Sequence, residues 1–454
     1  MYLVGNGLLV TRDEERPLVE NGAVAVNGDL ISRIGTTEKL RELFPEAEFI
    51  DARGGIIMPG MIDAHSHLAN PLLRLFEGEE PMTRGRAAAA LLEKTRLDAA
   101  VAMLDCSNIT RVSALSCLRH GVTTVFDLSE ICWERPGTEL ATAGSAAVAG
   151  LRICASAAIT SRSTYDVCTA LLADNEDMLA YLAKADEKRC TAAYGLYSPS
   201  TLSDLDLDRC MRGKPQNAGI HAIVSDDPAD DVICSRRYGK TSTERLYDRG
   251  MIDDKAILAH CTCVSESDMD LIKSAGAFVA HVPYGDLMSG AGTAPVGRML
   301  EKGIPVCLGT DGLTDPLEAA RIAIGVRRTA EKDPLLGAGF AAEMLFSANA
   351  ALVRKYFGKE IGRLREGATA DIAVMDFRPF GNPDAAKLDE QMITMMSGAD
   401  CRLTMVDGMI VMRDGKIIRT NESGVRERAE KSIVNIWKIL HHIEEEPDDW
   451  ECED

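Results

Sequence analysis

The stretch that decides the fold reads Met58-Pro59-Gly60-Met61-Ile62-Asp63-Ala64-His65-Ser66-His67. A strand-like apolar run breaks at Pro-Gly and then presents two histidines one residue apart. In an extended strand, residues i and i+2 point to the same side, so His65 and His67 can offer two imidazoles to one metal ion. The spacing alone fits two half-exposed loop histidines equally well, so the rest of the chain has to separate the two interpretations.

The middle of the chain, residues 56–362, alternates short apolar runs with helical patterns such as Ala87 to Met103 and Asp268 to Lys273. This alternation is typical of βα repeats, and eight such runs predict a closed (β/α)8 barrel of the TIM type. The predicted strands are Ile56 to Asp63, Thr123 to Asp127, Ile153 to Ile159, Thr191 to Tyr197, Gly219 to Ser225, Ala256 to His260, Ala277 to His281 and Val306 to Asp311.

Histidines concentrate at the ends of these strands. Of the 8 histidines in the chain, five lie in or at the end of a predicted strand, namely His65, His67, His221, His260 and His281. Asp311 ends the last strand within Leu308-Gly309-Thr310-Asp311-Gly312. Because the carboxyl ends of barrel strands build the active site, this pattern favours a metal-centred hydrolytic site over loop histidines.

Both chain ends carry β-rich runs with Asn/Asp-Gly turns, which predict hairpins. Two such sets around a long middle predict a small composite β-sandwich domain built from both ends. We divide the chain into residues 1–55 (β-sandwich, first part), 56–362 (hydrolase barrel), 363–420 (β-sandwich, second part) and 421–454 (helix and acidic tail).

Composition excludes several classes of function. The 454 residues are 46% hydrophobic and 26% charged, with no apolar run long enough to span a membrane and no signal peptide, so we expect a cytoplasmic protein. The 13 cysteines lack the spacing of a disulfide framework, which also fits a reducing compartment. The net charge of −20 disfavours nucleic acid and acidic membrane surfaces as partners.

These residues resemble the amidohydrolase superfamily, within its cyclic-deaminase and chlorohydrolase-like branch. The segment Pro59 to His67 is similar to that family's first strand, His260 to the end of its sixth, and Gly309 to Gly312 to its eighth. The β-rich ends match its composite domain. The stretch from Tyr238 through Met251 to His260 looks closest to aminohydrolases of the SsnA type.

The resemblance implies a function and roles for individual residues. His65, His67 and Asp311 would bind one divalent metal ion, with zinc favoured over iron or manganese, and the ion would make a water molecule acidic enough to ionise near neutral pH. Asp311 would also accept a proton, and His260 would contact the substrate at the attacked carbon. The expected activity is hydrolysis of a non-peptide C–N bond, as in deamination of a small cyclic amine or nucleobase-like substrate. Relatives with this fold are commonly dimers or larger, so a homodimer is expected.

The metal shell departs from the family pattern on strand five. The family carries His-x-x-Glu there, whereas Ile223 occupies the ligand position and Asp226 the glutamate position. His221 lies two residues earlier on the same face, about 6.5 to 7 Å away along the strand, and fits a packed or supporting histidine better than a ligand. Asp226 would take over proton transfer from the glutamate.

The predicted substrate pocket departs from the pattern as well. Tyr197-Ser198-Pro199 replaces a common His-x-Pro, and His281-Val282-Pro283-Tyr284-Gly285-Asp286 loses an arginine and gains a carboxylate. We predict that the substrate is contacted by Tyr197, His260, His281 and Tyr284.

Three interpretations remain open at this point. The metal is held by two histidines and Asp311, with His260 closing the shell; or the chain is a non-catalytic binding or scaffold protein; or the site hydrolyses a carbon–halogen or amide bond, because fold does not fix reaction.

Overall fold

The computed structural model describes residues 1–69, 72, 107–130, 138–161, 165–185, 187–381 and 384–445. The predicted helix Ala87 to Met103 and the acidic tail from residue 446 onwards lie outside these residues.

A nine-stranded sheet is assembled from both ends of the chain. Its strand order is β18-β17-β16-β15-β5-β1-β2-β3, with β4 paired to β1. The two halves share one hydrophobic core. Val4 and Val24 of the first half belong to the same buried cluster as Ile372 and Leu403 of the second half. Its strands are β1 (Tyr2–Val10), β2 (Leu18–Asn27), β3 (Leu30–Thr36), β4 (Glu48–Asp51), β5 (Ile56–Pro59), β15 (Ile372–Met375), β16 (Cys401–Val406), β17 (Met409–Arg413) and β18 (Lys416–Ile417).

The middle of the chain forms a closed parallel barrel. Its strands pair in the orders β6-β7-β8-β9 and β10-β11-β12-β13-β14. Ala193 joins β9 to β10, since its N–H bonds Ala155 of β8 and the next N–H bonds Gly219 before β11. The strands are β6 (Met61–Ser66), β7 (Val122–Ser129), β8 (Arg152–Ala157), β9 (Cys190–Ala192), β10 (Tyr194–Leu196), β11 (Ile220–Val224), β12 (Ile257–His260), β13 (Phe278–His281) and β14 (Val306–Leu308).

Backbone hydrogen bonds close the ring between the last strand and the first. The N–H groups of Thr310 and Asp311 donate to the carbonyl oxygen of His65 at 2.9 and 3.1 Å. The barrel therefore has eight strand positions, because β9 and β10 together occupy one. This closure also brings the end of β14 beside the two histidines of β6.

The predicted first barrel strand, Ile56 to Asp63, is divided in the structure. Residues up to Pro59 form β5 and pair with β15 of the composite sheet, whereas β6 starts at Met61 and pairs with β7. Gly60 sits at the division, where a Cβ would lie 2.2 Å from Cγ2 of Thr123. Only glycine lets the chain pass so close to β7 as it crosses from one sheet to the other.

Helices surround the barrel, and one of them, Asn349–Phe357, packs against its apolar interior. The predicted helical pattern Asp268 to Lys273 falls inside α8, which starts with a capping box between Ser265 and Asp268. The helices are α1 (Thr37–Leu43), α2 (Ser107–Arg119), α3 (Thr138–Ala149), α4 (Tyr165–Leu182), α5 (Asp204–Gly213), α6 (Pro228–Tyr238), α7 (Ser242–Tyr247), α8 (Glu266–Ala275), α9 (Pro283–Ser289), α10 (Val296–Glu301), α11 (Pro316–Glu331), α12 (Gly339–Ala342), α13 (Asn349–Phe357), α14 (Ala385–Met395) and α15 (Glu422–Glu445).

Apolar side chains fill the barrel below its carboxyl-terminal rim. Phe126, Ile257 and Ala280 of the strands cluster with Leu352 and Val353 of α13. The barrel is therefore packed rather than hollow, as is usual for this architecture.

Candidate metal and catalytic site

Four buried side chains converge at the carboxyl-terminal rim of the barrel. His65 and His67 stand at the end of β6, His260 ends β12, and Asp311 follows β14. One ligand atom from each of the four lies within 4.8 Å of the others. Imidazole nitrogens with one carboxylate oxygen are a donor set that suits zinc or a similar divalent ion.

The orientation of His65 fits a metal ligand. Its Nδ1 lies 2.7 Å from Nε2 of His221, whose own Nδ1 lies 3.3 Å from the hydroxyl of Ser156. The other ring nitrogen of His65, Nε2, is buried and has no hydrogen-bond partner within the described part of the chain. Buried polar atoms are almost always paired, so the environment of this Nε2, among other ligand atoms, fits a bound divalent cation.

His67 is fixed in the same way. Its Nδ1 contacts the carbonyl oxygen of Leu128 at the end of β7, and its Nε2 lies 3.3 Å from Oδ1 of Asp311. In both rings, Nδ1 contacts another protein group and thereby orients Nε2 towards the site, as is usual for histidines that bind metals.

The buried carboxylate of Asp63 links the end of β6 to the residues that follow β14. Its carboxylate accepts hydrogen bonds from the N–H of His65 and from the N–H and hydroxyl of Thr310. Burial raises the pKa of Asp63 to about 7, although these hydrogen bonds act in the opposite direction. The contacts fix the end of β6 against the end of β14, and hence His65 against Asp311.

His260 is held by carboxylates on its other side. Its Nδ1 lies 2.8 Å from Oδ1 of Asp286 and 3.3 Å from Oδ1 of Asp226. Asp226, His260 and Asp286 form a second group of potential ligands that shares His260 with the first. His260 therefore connects the predicted metal site to the predicted proton-transfer residue.

The electrostatics of the rim histidines differ sharply. Burial lowers the pKa of His65 well below its usual value and that of His221 to about 3, and neighbouring imidazoles add to the effect. Burial would also lower the pKa of His260, but Asp226, Asp286 and Asp311 outweigh it and raise the pKa to about 10. A neutral imidazole at His65 suits metal binding. A neutral imidazole at His221 suits a hydrogen bond with His65.

Strand five contributes no ligand at Ile223. The Ile223 side chain is 3% exposed and lies in an apolar cluster with Leu128, Ala158 and the partly buried Tyr197. Nε2 of His221 lies 2.7 Å from Nδ1 of His65, a contact that is compatible with a supporting histidine. The roles assigned to these side chains stay predictions.

The remaining predicted substrate residues also reach the rim. His281 ends β13 with its Nδ1 3.8 Å from Oδ2 of Asp286. Tyr284 is partly buried in the first turn of α9, and Tyr197 follows β10. Burial lowers the pKa of His281 to about 3, so its ring is neutral and can exchange hydrogen bonds with an uncharged substrate.

Two residues beside the candidate ligands were not predicted to take part in the site. Glu130 follows β7, with its Oε1 3.8 Å from Nε2 of His67. Its position directly after a barrel strand was a usable signal. Asp286 was noticed as a new carboxylate after strand seven, but its contact with His260 depends on how α9 folds back over the rim.

The described helices include none that combines the length and the apolar character needed to cross a lipid bilayer.

Known proteins resemble the whole chain. The profile of the Amidohydrolase family matches residues 56–411. A 5'-deoxyadenosine deaminase of Methanosarcina mazei is 28% identical over 443 residues, which cover 96% of this chain and 98% of the relative. A 5-methylthioadenosine/S-adenosylhomocysteine deaminase of Pelotomaculum thermopropionicum is 25% identical, with 96% and 98% covered.

A solved structure has the same architecture. The crystal structure of an adenosine deaminase from Xanthomonas campestris with bound zinc superposes with a TM-score of 0.80 at 19% sequence identity, covering 96% of this chain and 98% of the other. At that identity the likeness concerns the fold alone, and it confirms the predicted barrel with a second domain.

Proposed function

The chain belongs to the amidohydrolase family, and from that premise we propose that it is a zinc-dependent deaminase of adenosine derivatives modified at the 5' position. The general class, a metal-dependent hydrolase of non-peptide C–N bonds, agrees with the relatives' names. Those relatives act on 5'-deoxyadenosine and on 5-methylthioadenosine or S-adenosylhomocysteine, which share an adenine ring with an exocyclic amino group.

The observation that carries the proposal is the cluster of His65, His67, His260 and Asp311 on one rim. A scaffold that had lost catalysis would not need four ligand groups oriented around the Nε2 of His65, which no described residue hydrogen-bonds. The substitution at Ile223 has removed one imidazole and left the other groups in place. This favours a working metal site over the scaffold interpretation.

The reaction adds water to the carbon that bears the amino group and releases ammonia. A divalent ion bound by His65, His67 and Asp311 would supply the Lewis acidity that lets water ionise near neutral pH. The Asp311 carboxylate would orient the attacking water and accept its proton.

Proton delivery to the purine falls to Asp226. When water adds, a ring nitrogen gains a proton, and the amino group takes another as its bond to carbon breaks. Oδ1 of Asp226 is buried without a hydrogen-bond partner among the described residues and lies 3.3 Å from Nδ1 of His260. Burial, the largest influence, raises the pKa of Asp226, and this favours a carboxyl that can carry a proton.

An apolar cluster packs against Tyr197 at the strand ends. Leu128, Ala158 and Ile223 are buried in it, and the ring of Tyr197 is partly exposed beside them. The ring of Tyr197 would take the face of a purine, while polar groups of the rim would contact its edge. Ile223 then supports that ring instead of binding the metal ion.

The test is ammonia release from a panel of purines. Protein purified without chelators and loaded with zinc should release ammonia from 5'-deoxyadenosine and 5'-methylthioadenosine, each leaving the matching inosine derivative. The Asp311→Asn variant is the matched control and should be inactive. If the zinc-loaded protein releases no ammonia from any adenosine derivative, the proposed substrate class is wrong. Zinc, a small-molecule substrate, the homodimer and a cytoplasmic location stay predictions.

A further inference from the structure

Strand five leaves the metal site short of one imidazole, and its two inward-facing side chains cannot supply it. Ile223 has no donor atom, and His221 has its Nε2 against His65 and its Nδ1 near Ser156. Among the residues that the structure describes, a replacement ligand therefore has to come from another strand.

His260 is placed to be that replacement. It belongs to the group of four whose ligand atoms lie within 4.8 Å, and its ring centroid is 5.3 Å from that of His65. With Nδ1 committed to Asp286 at 2.8 Å, Nε2 is the ring nitrogen that can bind a metal. A carboxylate behind an imidazole is the arrangement that fixes the tautomer of metal-binding histidines.

The backbone at His260 is strained in a way that fits this role. His260 has φ of 68° and Cys261 has φ of 54°, both in the left-handed region that non-glycine residues avoid. Such conformations persist only where the surroundings impose them. Here the N–H of Cys261 bonds the carbonyl oxygen of Val224 on β11, so the end of β12 is tied to strand five.

Asp286 reaches His260 because α9 lies against the rim. Asp286 is 1% exposed and sits in the first turn of that helix. The preceding residue, Gly285, lies so close to Asp311 that a Cβ there would be 2.4 Å from Oδ2 of Asp311. One short segment thus contacts two of the candidate ligands. The carboxylate of Asp286 contacts His260, and Gly285, which has no side chain, lies against Asp311.

We propose that the segment Tyr284-Gly285-Asp286 compensates for Ile223 by making His260 the third imidazole ligand, with Asp286 as its positioning residue and Gly285 leaving room for Asp311. The inference rests on the proposed function only in requiring a bound metal ion. Its alternative is that His260 contacts substrate alone and leaves the metal to His65, His67 and Asp311.

Zinc affinity, measured by competition with a chromogenic chelator, tests the proposal without any substrate. Asp286→Asn should weaken zinc binding about 10- to 100-fold, the range seen when the partner of a metal-bound histidine is removed. His260→Asn should weaken it at least as much. The control is Asp268→Asn, which alters an equally buried carboxylate that accepts a hydrogen bond from the N–H of Ser265 at the start of α8 and lies outside both ligand groups.

A double-mutant cycle keeps the test valid if a single variant folds poorly. Ile223→His restores an imidazole on strand five and should raise zinc affinity, and in that background Asp286→Asn should lose most of its effect. The visible spectrum of the cobalt-loaded protein should change with Asp286→Asn, because the ligand field around the ion changes. Gly285→Ala should also weaken binding by displacing Asp311.

The proposal is overturned if Asp286→Asn and His260→Asn both bind zinc as tightly as the natural chain and leave the cobalt spectrum unchanged. An equal effect of Asp286→Asn with and without Ile223→His would also overturn it. A protein that shows the expected zinc affinities and yet releases no ammonia from purines would refute the proposed substrate class and leave this inference standing.

Discussion

The two ends of the barrel carry buried polar clusters of opposite kinds. At the amino-terminal end, Arg152 begins β8 and pairs with Asp371 and Asp407 of the composite sheet. At the carboxyl-terminal end, His65, His67, His260 and Asp311 face one another. The first cluster pairs a cation with carboxylates, whereas the second collects side chains that can each contribute one ligand atom to a metal ion.

The difference separates a structural cluster from a functional one. A buried guanidinium between two carboxylates satisfies its own charge and joins two domains. The Nε2 of His65 is buried and has no hydrogen-bond partner in the described parts of the chain, so this set of ligand atoms fits a bound cation. In this fold the amino-terminal end of the barrel carries stability and the carboxyl-terminal end carries chemistry.

The largest expected effect concerns catalysis at the functional end. Asp226→Asn should lower kcat by about 10²- to 10⁴-fold, because an amide cannot carry the proton that the purine gains. Steady-state ammonia release measures it. Zinc affinity should stay within a few-fold of that of the natural chain, since the proposed ligands are untouched. The neighbouring Asp227→Asn is the control, because Asp227 only caps α6 and an asparagine caps equally well. Equal kcat values for the two variants would remove Asp226 from the mechanism.

The next effect concerns stability at the structural end. Arg152→Met should lower the free energy of unfolding by about 3–5 kcal/mol, because it leaves Asp371 buried without its cation. Urea unfolding of the metal-free protein measures this change, and zinc affinity should be unaffected.

An exposed ion pair between the same two domains provides the control. Lys188 and Asp29 lie 3.4 Å apart with side chains 61% and 40% exposed. Lys188→Met should change stability by less than about 1 kcal/mol, because water screens the pair. Similar losses for the two variants would show that burial does not distinguish the Arg152 cluster.

A smaller effect is expected from metal removal. Zinc at about 100 times its Kd should stabilise the folded protein by about 2.7 kcal/mol, since the ion binds the folded site and not the unfolded chain. Urea unfolding with zinc and with chelator measures the difference. Arg152→Met should show the same shift, as the two clusters are at opposite ends of the barrel, and His67→Asn should show little. A natural chain that unfolds identically with and without zinc would contradict a metal site.

Much of the fold was predictable because its signals are local. Strand runs, helical periodicity and turn residues depend on near neighbours in sequence, and they predicted the barrel and the composite domain. The break at Pro59-Gly60 was visible, but predicting Ile56 to Asp63 as one barrel strand was wrong, because both halves are equally apolar and only their pairing partners differ.

The site was predictable to a lesser degree, for a physical reason. His65, His67, His260 and Asp311 were found because each ends a strand of a parallel barrel, and the fold then brings strand ends together. Asp286 was seen as a charge and not as the partner of His260, because that contact depends on where α9 lies.

The sequence by itself determined the architecture and the kinds of donor at the barrel rim, since these follow from periodicity and from position along each strand. Only the tertiary structure decided which nitrogen of His65 has no hydrogen-bond partner among the described residues, that the other nitrogen contacts His221, and that Gly285 and Asp286 contact Asp311 and His260. Those facts depend on side-chain rotation and on packing between distant elements, which no local pattern encodes.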